Sequence, residues 1–168
     1  MPQAKNAKEY IVECRTAIAS NPECSVSHYN LAVARLGIKE YGEAENALHA
    51  AIDCSPNFAE AFVQLGGLCL QRGDLDGCLA YNKHATKVRA GFSEGYGNIG
   101  FVHLQMGNID EAIKSLQKAI VYNSKFLQAY ATLANAYLRK GLVKESIITN
   151  LKVLKLDPSF PIAHNNLA

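Results

Sequence analysis

The sequence predicts an all-helical solenoid, a stack of similar helix pairs, on the basis of three observations. Near-copies of a 34-residue unit begin at Ser25, Ala59, Ser93 and Leu127, with the sequences SVSHYNLA, AEAFVQLG, SEGYGNIG and LQAYATLA. Within each unit the apolar residues recur at helical spacing, and no segment has the pattern of a β-strand. A period of this length is typical of stacked repeats, which bury their apolar faces against neighbouring units.

Each unit is predicted to contain two helices separated by a short break. In the second unit Ala61, Phe62, Leu65, Leu68 and Cys69 mark one face of the first helix. The breaks contain glycine, which adopts the left-handed conformation that ends a helix, and they lie at residues 72–74, 106–108 and 140–142. The second helices are predicted to follow at about 76–88, 110–122 and 144–156.

Small residues recur where the two helices of a unit are expected to approach each other. Gly66 and Gly100 occupy this place in two units, and Ala32 and Ala134 occupy it in the others. We therefore expect a larger side chain at Gly100 to overpack the contact between the helices.

The period divides the chain into consecutive segments: 1–24, a partial repeat with a second helix only; 25–58, 59–92, 93–126 and 127–160, four full repeats; and 161–168, the start of a truncated fifth repeat. Repeat stacks need a polar cap on their outer faces, and here Leu167 is left without a partner. We therefore expect the chain to be a fragment of a longer protein.

The repeat resembles that of the tetratricopeptide family, in which an aromatic residue precedes a Leu-Gly pair and later Ala, aromatic and Pro positions. The matching residues in the third unit are Tyr96, Ile99, Gly100, Ala112, Leu116 and Ala119, and in the fourth Tyr130, Leu133, Ala134, Tyr137 and Pro158. The match extends from Ser25 to Phe160, with departures at His28, Arg35 and His103. The resemblance implies a right-handed superhelical solenoid of antiparallel helix pairs.

In that family the first helices line a concave groove, so the resemblance assigns groove residues by their place in the repeat. They are Tyr29, Asn30, Val33, Leu36, Val63, Gln64, Gly67, Leu70, Gly97, Asn98, Phe101, Leu104, Ala131, Thr132, Asn135 and Leu138. Many of these residues are apolar, and a contiguous exposed apolar patch normally marks an interaction site. We therefore predict that a peptide or partner binds here.

A polar row crosses the predicted groove at 34-residue intervals: Asn30, Gln64, Asn98, Thr132 and Asn166. Amide side chains carry a donor and an acceptor, so such a row can hold an extended peptide backbone. It resembles the asparagine ladder of some family members, although these residues can equally bond across repeat junctions. Gly67 and Gly97 either open space for a bulky partner residue or are tolerated imperfections of the helices.

A second mode of the family, a clamp for a C-terminal carboxylate, is not expected here. The equivalent positions hold Tyr29, Val33, Gln64, Glu94 and Asn98, so the required cations are missing. A helix in an apolar groove, contacting it every third or fourth residue, fits these residues better.

Composition and charge exclude several classes of protein. The net charge is +2 and mixed along the chain, whereas nucleic-acid binders concentrate positive charge on one face. The predicted groove has almost no cation apart from Arg139. No apolar run reaches the roughly 18 residues of a membrane-spanning helix, and the five cysteines lack a CxxC pair. We expect a cytoplasmic protein that neither binds nucleic acid nor inserts into a membrane.

Catalysis by cysteine and histidine is the remaining chemical possibility. Cys69 and Cys78 are predicted on facing helices of one unit, and His103 lies one repeat beyond Cys69. A thiolate beside an imidazole is a candidate nucleophile or half a metal site, but cysteine more often packs as a small hydrophobe. No motif for metal or phosphate supports the site. We therefore expect no enzyme activity, no metal and no cofactor.

The predicted function is that of a protein-interaction scaffold, which binds a peptide or amphipathic helix in the groove and assembles a complex. One alternative is a structural module that self-associates as a homo-oligomer, through the groove or the end at Leu167. The other is a docking or regulatory arm of an enzyme whose catalytic part lies outside residues 1–168. Repeats of this kind serve many processes, so the fold alone does not identify the partner.

Overall fold

The computed structural model describes residues 4–167, and these residues contain ten α-helices and no β-strand. The helices are α1 (Ala4–Ser20), α2 (Ser25–Gly37), α3 (Tyr41–Cys54), α4 (Ala59–Gln71), α5 (Leu75–Val88), α6 (Ser93–Gln105), α7 (Ile109–Tyr122), α8 (Leu127–Arg139), α9 (Val143–Leu156) and α10 (Pro161–Leu167). The predicted all-α fold of consecutive helix pairs is confirmed. The second helices α5, α7 and α9 each begin one residue earlier than predicted.

The helices form two compact units, one ending at Arg89 and the other beginning at Ala90. In the first unit α2 pairs with α3 and α4 with α5, while α1 packs on α2 and α3 on α4. In the second unit α6 pairs with α7 and α8 with α9, while α7 packs on α8 and α10 on α9. Each unit therefore has its own core of residues from successive helices.

Alanine and leucine dominate both cores. The first unit buries Ala32, Ala47, Leu48, Ala51, Ala61, Leu65 and Leu68 together. The second unit buries Leu104, Ala112, Ile113, Leu116, Ala119, Ala129, Leu133 and Ala136. Small alanines beside larger branched side chains allow facing helices to approach closely.

The predicted close approach of paired helices is present at Gly100. A Cβ atom at this position would lie 2.5 Å from Cγ of Leu116 and 3.1 Å from the carbonyl oxygen of Ala112. Both Leu116 and Ala112 are fully buried, so neither can move aside at little cost. Glycine is therefore required here by the packing of α6 on α7.

Two buried asparagines occupy the place that leucine holds in the other repeats. Leu48 and Leu116 alternate along the chain with Asn82 and Asn150, 34 residues apart, and all four are fully buried. The amide of Asn82 donates to the Cys78 carbonyl at 2.8 Å, and the amide of Asn150 donates to the Ser146 carbonyl at 3.1 Å. The hydrogen bonds offset the cost of burying the amides.

Each helix pair turns through one residue with left-handed backbone geometry. In three repeats this residue is glycine, namely Gly73, Gly107 and Gly141, with φ of +78°, +82° and +81°. In the first full repeat it is Lys39, with φ of 64°. The same turn carries an internal ion pair, because the buried guanidinium of Arg35 contacts the carboxylate of Glu40.

We expect two alanine substitutions in the first helices to change the free energy of unfolding in opposite directions. Gly100→Ala should lower the free energy of unfolding by roughly 1–2 kcal/mol, since overpacking outweighs the gain in helix propensity. Gly67→Ala should raise it by up to about 1 kcal/mol, because nothing lies within 4 Å of its Cβ position. Urea denaturation followed by circular dichroism measures both changes, and stabilisation by Gly100→Ala would contradict the packing described above.

Lys39→Gly should stabilise the protein by about 1 kcal/mol. A side chain at a left-handed position strains the backbone by roughly 1–2 kcal/mol, and the greater unfolded-state entropy of glycine offsets part of the gain. Thermal unfolding checks the sign, and Gly73→Ala, at the equivalent position, serves as the converse variant with an expected loss of stability. A lower melting temperature for Lys39→Gly would show that Arg35 and Glu40 hold this turn without backbone strain.

Candidate peptide-binding site

In the first compact unit the predicted groove residues lie on α2 and α4. Val33 and Gly67 are exposed, whereas the others are half-buried: Tyr29, Asn30, Leu36, Val63, Gln64 and Leu70. No atom lies within 4 Å of the Cβ position of Gly67, so this glycine does open space at the surface.

Tyr29 connects α2 to the start of α4 by an aromatic contact and a hydrogen bond. Its ring centroid lies 5.0 Å from that of Phe58, with the planes tilted by 46°. Burial raises the pKa of Tyr29, and a hydrogen bond with the Gln64 side chain opposes this shift. Gln64, a member of the predicted polar row, is therefore engaged within the first unit.

In the second compact unit the predicted groove residues lie on α6 and α8. Asn135 and Leu138 are exposed, Asn98 and Phe101 are half-buried, and the other four are buried: Gly97, Leu104, Ala131 and Thr132. Leu104 is only 3% exposed and belongs to the core formed with α7. The continuous apolar surface expected from the repeat pattern is thus interrupted in this unit.

Gly97 does not provide an opening for a partner residue. A Cβ atom there would lie 2.8 Å from Cε1 and 3.1 Å from Cζ of Phe126, the residue that precedes α8. The ring of Phe126 fills the space that the missing side chain leaves. Gly97 is therefore a packing position between α6 and the start of α8.

A cavity of about 160 Å³ lies between the first helices α6, α8 and α10 of the second unit. It is lined by Phe101, Leu104, Gln105, Gln128, Ala131, Thr132, Asn135, Arg139, Ile162 and Asn166. Its lining combines apolar side chains with amides and one guanidinium, and contains no carboxylate. Sites for small ligands and peptide side chains commonly have this mixture.

Arg139 is fixed at the cavity by a hydrogen bond to the main chain. Its Nη1 donates to the carbonyl oxygen of Leu104 at 3.0 Å, near the end of α6. The same carbonyl accepts from the backbone nitrogen of Gly107 at 3.2 Å. The guanidinium thereby joins α8 to α6 beside the cavity.

The polar row has a smaller role in this unit than the sequence suggests. The hydroxyl of Thr132 donates to the Gln128 carbonyl at 2.8 Å, within its own helix. The amide of Asn166 donates to Oδ1 of Asn150 at 3.1 Å, which connects α10 to α9. These bonds position Thr132 and Asn166 along the cavity wall.

Sequence reasoning missed Gln105, Gln128 and Ile162 as members of the site. Helical periodicity carries the signal that finds them, because Gln128, Thr132, Asn135 and Arg139 are separated by four, three and four residues and therefore share one face of α8. Gln105 and Gln128 lie four residues from the predicted groove residues Phe101 and Thr132, and Ile162 lies four residues before Asn166 of the polar row.

Burial disfavours a nucleophilic role for the thiols of Cys69 and Cys78. Burial raises the pKa of Cys69, and it raises the pKa of Cys78 to about 11. The thiolate is the nucleophile and metal ligand, so both residues are kept in the unreactive form. Among the residues that the structure describes, no group of three or more His, Cys, Asp or Glu side chains is placed to hold a metal ion.

The fold and this site define a helical-repeat protein. Three family models match the sequence, described as tetratricopeptide repeat for residues 29–85 and 127–160 and as TPR repeat for residues 100–141. The chain belongs to the tetratricopeptide repeat family. No curated protein matches the sequence.

Solved structures show the same fold at low sequence identity. The chain is similar to MamA, with a TM-score of 0.74, 21% identity, and coverage of 92% of this chain and 84% of MamA. It is similar to YrrB, described as a TPR protein with an unusual peptide-binding site, with a TM-score of 0.73, 15% identity, and coverage of 96% and 83%. The first TPR of Spaghetti (RPAP3), bound to the HSP90 peptide SRMEEVD, matches with a TM-score of 0.63, 17% identity, and coverage of 65% and 86%.

Within residues 4–167, no helix is both long enough and apolar enough to cross a membrane.

Gly97→Ala should destabilise the protein by about 1–3 kcal/mol through its collision with Phe126. The cost should fall when Phe126 is replaced by leucine, which has no atom at the Cε1 position. Urea denaturation of the wild type, both single variants and the double variant gives the coupling energy, expected to be about 0.5 kcal/mol or more. An equal cost of Gly97→Ala in both backgrounds would mean that Phe126 does not occupy this space.

Proposed function

We propose that this chain is a protein-interaction module that binds an extended segment of a partner protein in the cavity between α6, α8 and α10, and so helps to assemble a complex. The cavity itself carries this proposal, because its wall offers apolar contacts from Phe101 and Ile162 beside the polar groups of Asn135 and Arg139. Two similar structures support it: YrrB, described as having an unusual peptide-binding site, and the first TPR of Spaghetti (RPAP3), which has a bound peptide.

The composition of the cavity favours an extended peptide over an amphipathic helix. A helix satisfies its own backbone groups and needs a continuous apolar surface. In the second unit that surface is interrupted, because Leu104 and Ala131 are buried and amides separate the apolar residues. An extended chain presents unpaired backbone N–H and C=O groups, which the amides of Gln128 and Asn135 are suited to bind.

Self-association is a second candidate function, favoured by an apolar face on α9. Val143, Ile147, Ile148 and Leu151 lie along this helix with exposed fractions of 50%, 43%, 66% and 54%. Exposed apolar patches mark interaction surfaces, and this one lies on a second helix and not at the cavity. Light scattering over a range of concentrations separates the two candidates, because only self-association requires a mass that rises with concentration.

The test of peptide binding is selection of random linear peptides, displayed on phage, on the immobilised protein. Asn135 is exposed and lines the cavity, so Asn135→Trp should fill the site and weaken binding of the selected peptides by about tenfold or more, equivalent to ~1.4 kcal/mol. Lys114→Trp adds the same bulk on the exposed side of α7 and should leave binding unchanged.

Fluorescence anisotropy with labelled versions of the selected peptides measures both affinities. Failure to select any peptide would reject the proposed function. Equal binding by the two tryptophan variants would place the peptide elsewhere on the protein.

A further inference from the structure

Resting on the proposed function, we infer that the cavity recognises an acidic side chain, aspartate or glutamate, of the bound segment, and that Arg139 is the residue that binds its carboxylate. The proposed function leaves the chemistry of the ligand open. Three features of the cavity favour a carboxylate: the hydrogen-bond partner of Arg139, the lack of acidic residues in the wall and the position of the guanidinium.

Arg139 differs in its hydrogen-bond partner from three other arginines of the chain, Arg35, Arg72 and Arg89. Arg35 contacts Glu40, Arg72 donates to Glu45 at 2.8 and 3.0 Å, and Arg89 donates to Glu60 at 2.6 and 2.9 Å. Each of these guanidiniums has a carboxylate partner within the protein. Arg139 instead donates to a neutral main-chain carbonyl, that of Leu104.

The cavity wall offers no negative charge to the exposed guanidinium of Arg139. None of the residues that line it is an aspartate or a glutamate. The amides of Gln128, Asn135 and Asn166 add donors and acceptors but no formal charge. A ligand with a negative charge is therefore complementary to this cavity, whereas a lysine or arginine of the partner would meet repulsion.

The bond to Leu104 also prepares the guanidinium for a carboxylate. One N–H of Nη1 is used, which fixes the planar group beside the cavity and leaves the rest of its donor fork for a ligand. A carboxylate matches that fork with two parallel charge-assisted hydrogen bonds. Because the side chain is already held in place, less conformational entropy is lost on binding.

The apolar part of the cavity wall predicts that an apolar residue lies next to the acidic residue in the bound peptide. Phe101 and Ile162 line the cavity on the two helices that flank α8. A peptide whose carboxylate meets Arg139 can place an adjacent apolar side chain on either of them. We therefore expect a recognition sequence in which an aspartate or glutamate stands close to an apolar residue.

The experiment uses random linear peptides displayed on phage and joined to the coat protein through their C-termini. These peptides have no free terminal carboxylate, so an acidic preference reports side chains alone. Selection on the wild-type chain should enrich aspartate or glutamate, and selection on Arg139→Gln should not. Lys144→Gln removes the same charge from an exposed position on α9 and is the matched control, with the wild-type preference retained.

Affinities of one selected peptide complete the test. Replacing its acidic residue by the corresponding amide should weaken binding to the wild type by about tenfold or more and change binding to Arg139→Gln by less than about twofold. Circular dichroism should show equal helix content for wild type and Arg139→Gln, because glutamine retains helix propensity and an amide donor.

The outcomes separate this inference from the proposed function. Peptides that bind at the cavity without acidic enrichment, or whose acidic residue contributes equally in both proteins, would overturn the role of Arg139 and leave peptide binding intact. If Lys144→Gln loses the preference for acidic peptides as fully as Arg139→Gln does, the preference reflects net charge in general, and the role of Arg139 is likewise overturned. If no peptide is selected, the proposed function itself fails.

Discussion

The close approach of two helices within each repeat is the constraint on which the rest of the structure depends. At the point of closest contact the first helices have Ala32, Gly66, Gly100 or Ala134, and a side chain of the second helix fills the space. At Gly66 that side chain is Asn82, whose amide nitrogen would lie 2.3 Å from a Cβ atom. Because one face of the first helix is packed against the second helix, this contact determines the orientation of the opposite face of the first helix.

Packing, rather than surface charge, maintains this arrangement. One ion pair between repeats is largely exposed: the side chains of Lys140 and Asp110 retain 45% and 62% of their accessible surface. Exposed pairs of this kind contribute at most about 1 kcal/mol because water and salt screen them. Most buried positions are apolar, the two buried asparagines are bonded within their own helices, and a change of one methyl group is felt there. Charged residues are therefore free to vary on the outer faces without loss of the fold.

The second helices α5, α7 and α9 could be predicted from the sequence to within a residue, because periodicity and glycine at the turns are local signals. The filling of Gly97 by Phe126 could not, since it joins residues that are 29 positions apart and depends on how α6 meets the start of α8. Leu104 was expected on the surface because its repeat position is a groove position in the family. Leu104 is buried because residues of α7 and α8 pack around it. The repeat pattern of a single helix does not predict this packing.

The cavity is a property of the stack and not of any one repeat. Its wall combines residues of three first helices, and α10 contributes Ile162 and Asn166. The position of α10 is set by Ala163, which is fully buried against Tyr130 and Val153, and by the bond from Asn166 to Asn150. Arg139 makes the corresponding connection to α6. Arg139, the residue proposed to bind the partner, is thus also a residue that joins two neighbouring first helices, so the position of its guanidinium depends on the packing of α8 against α6.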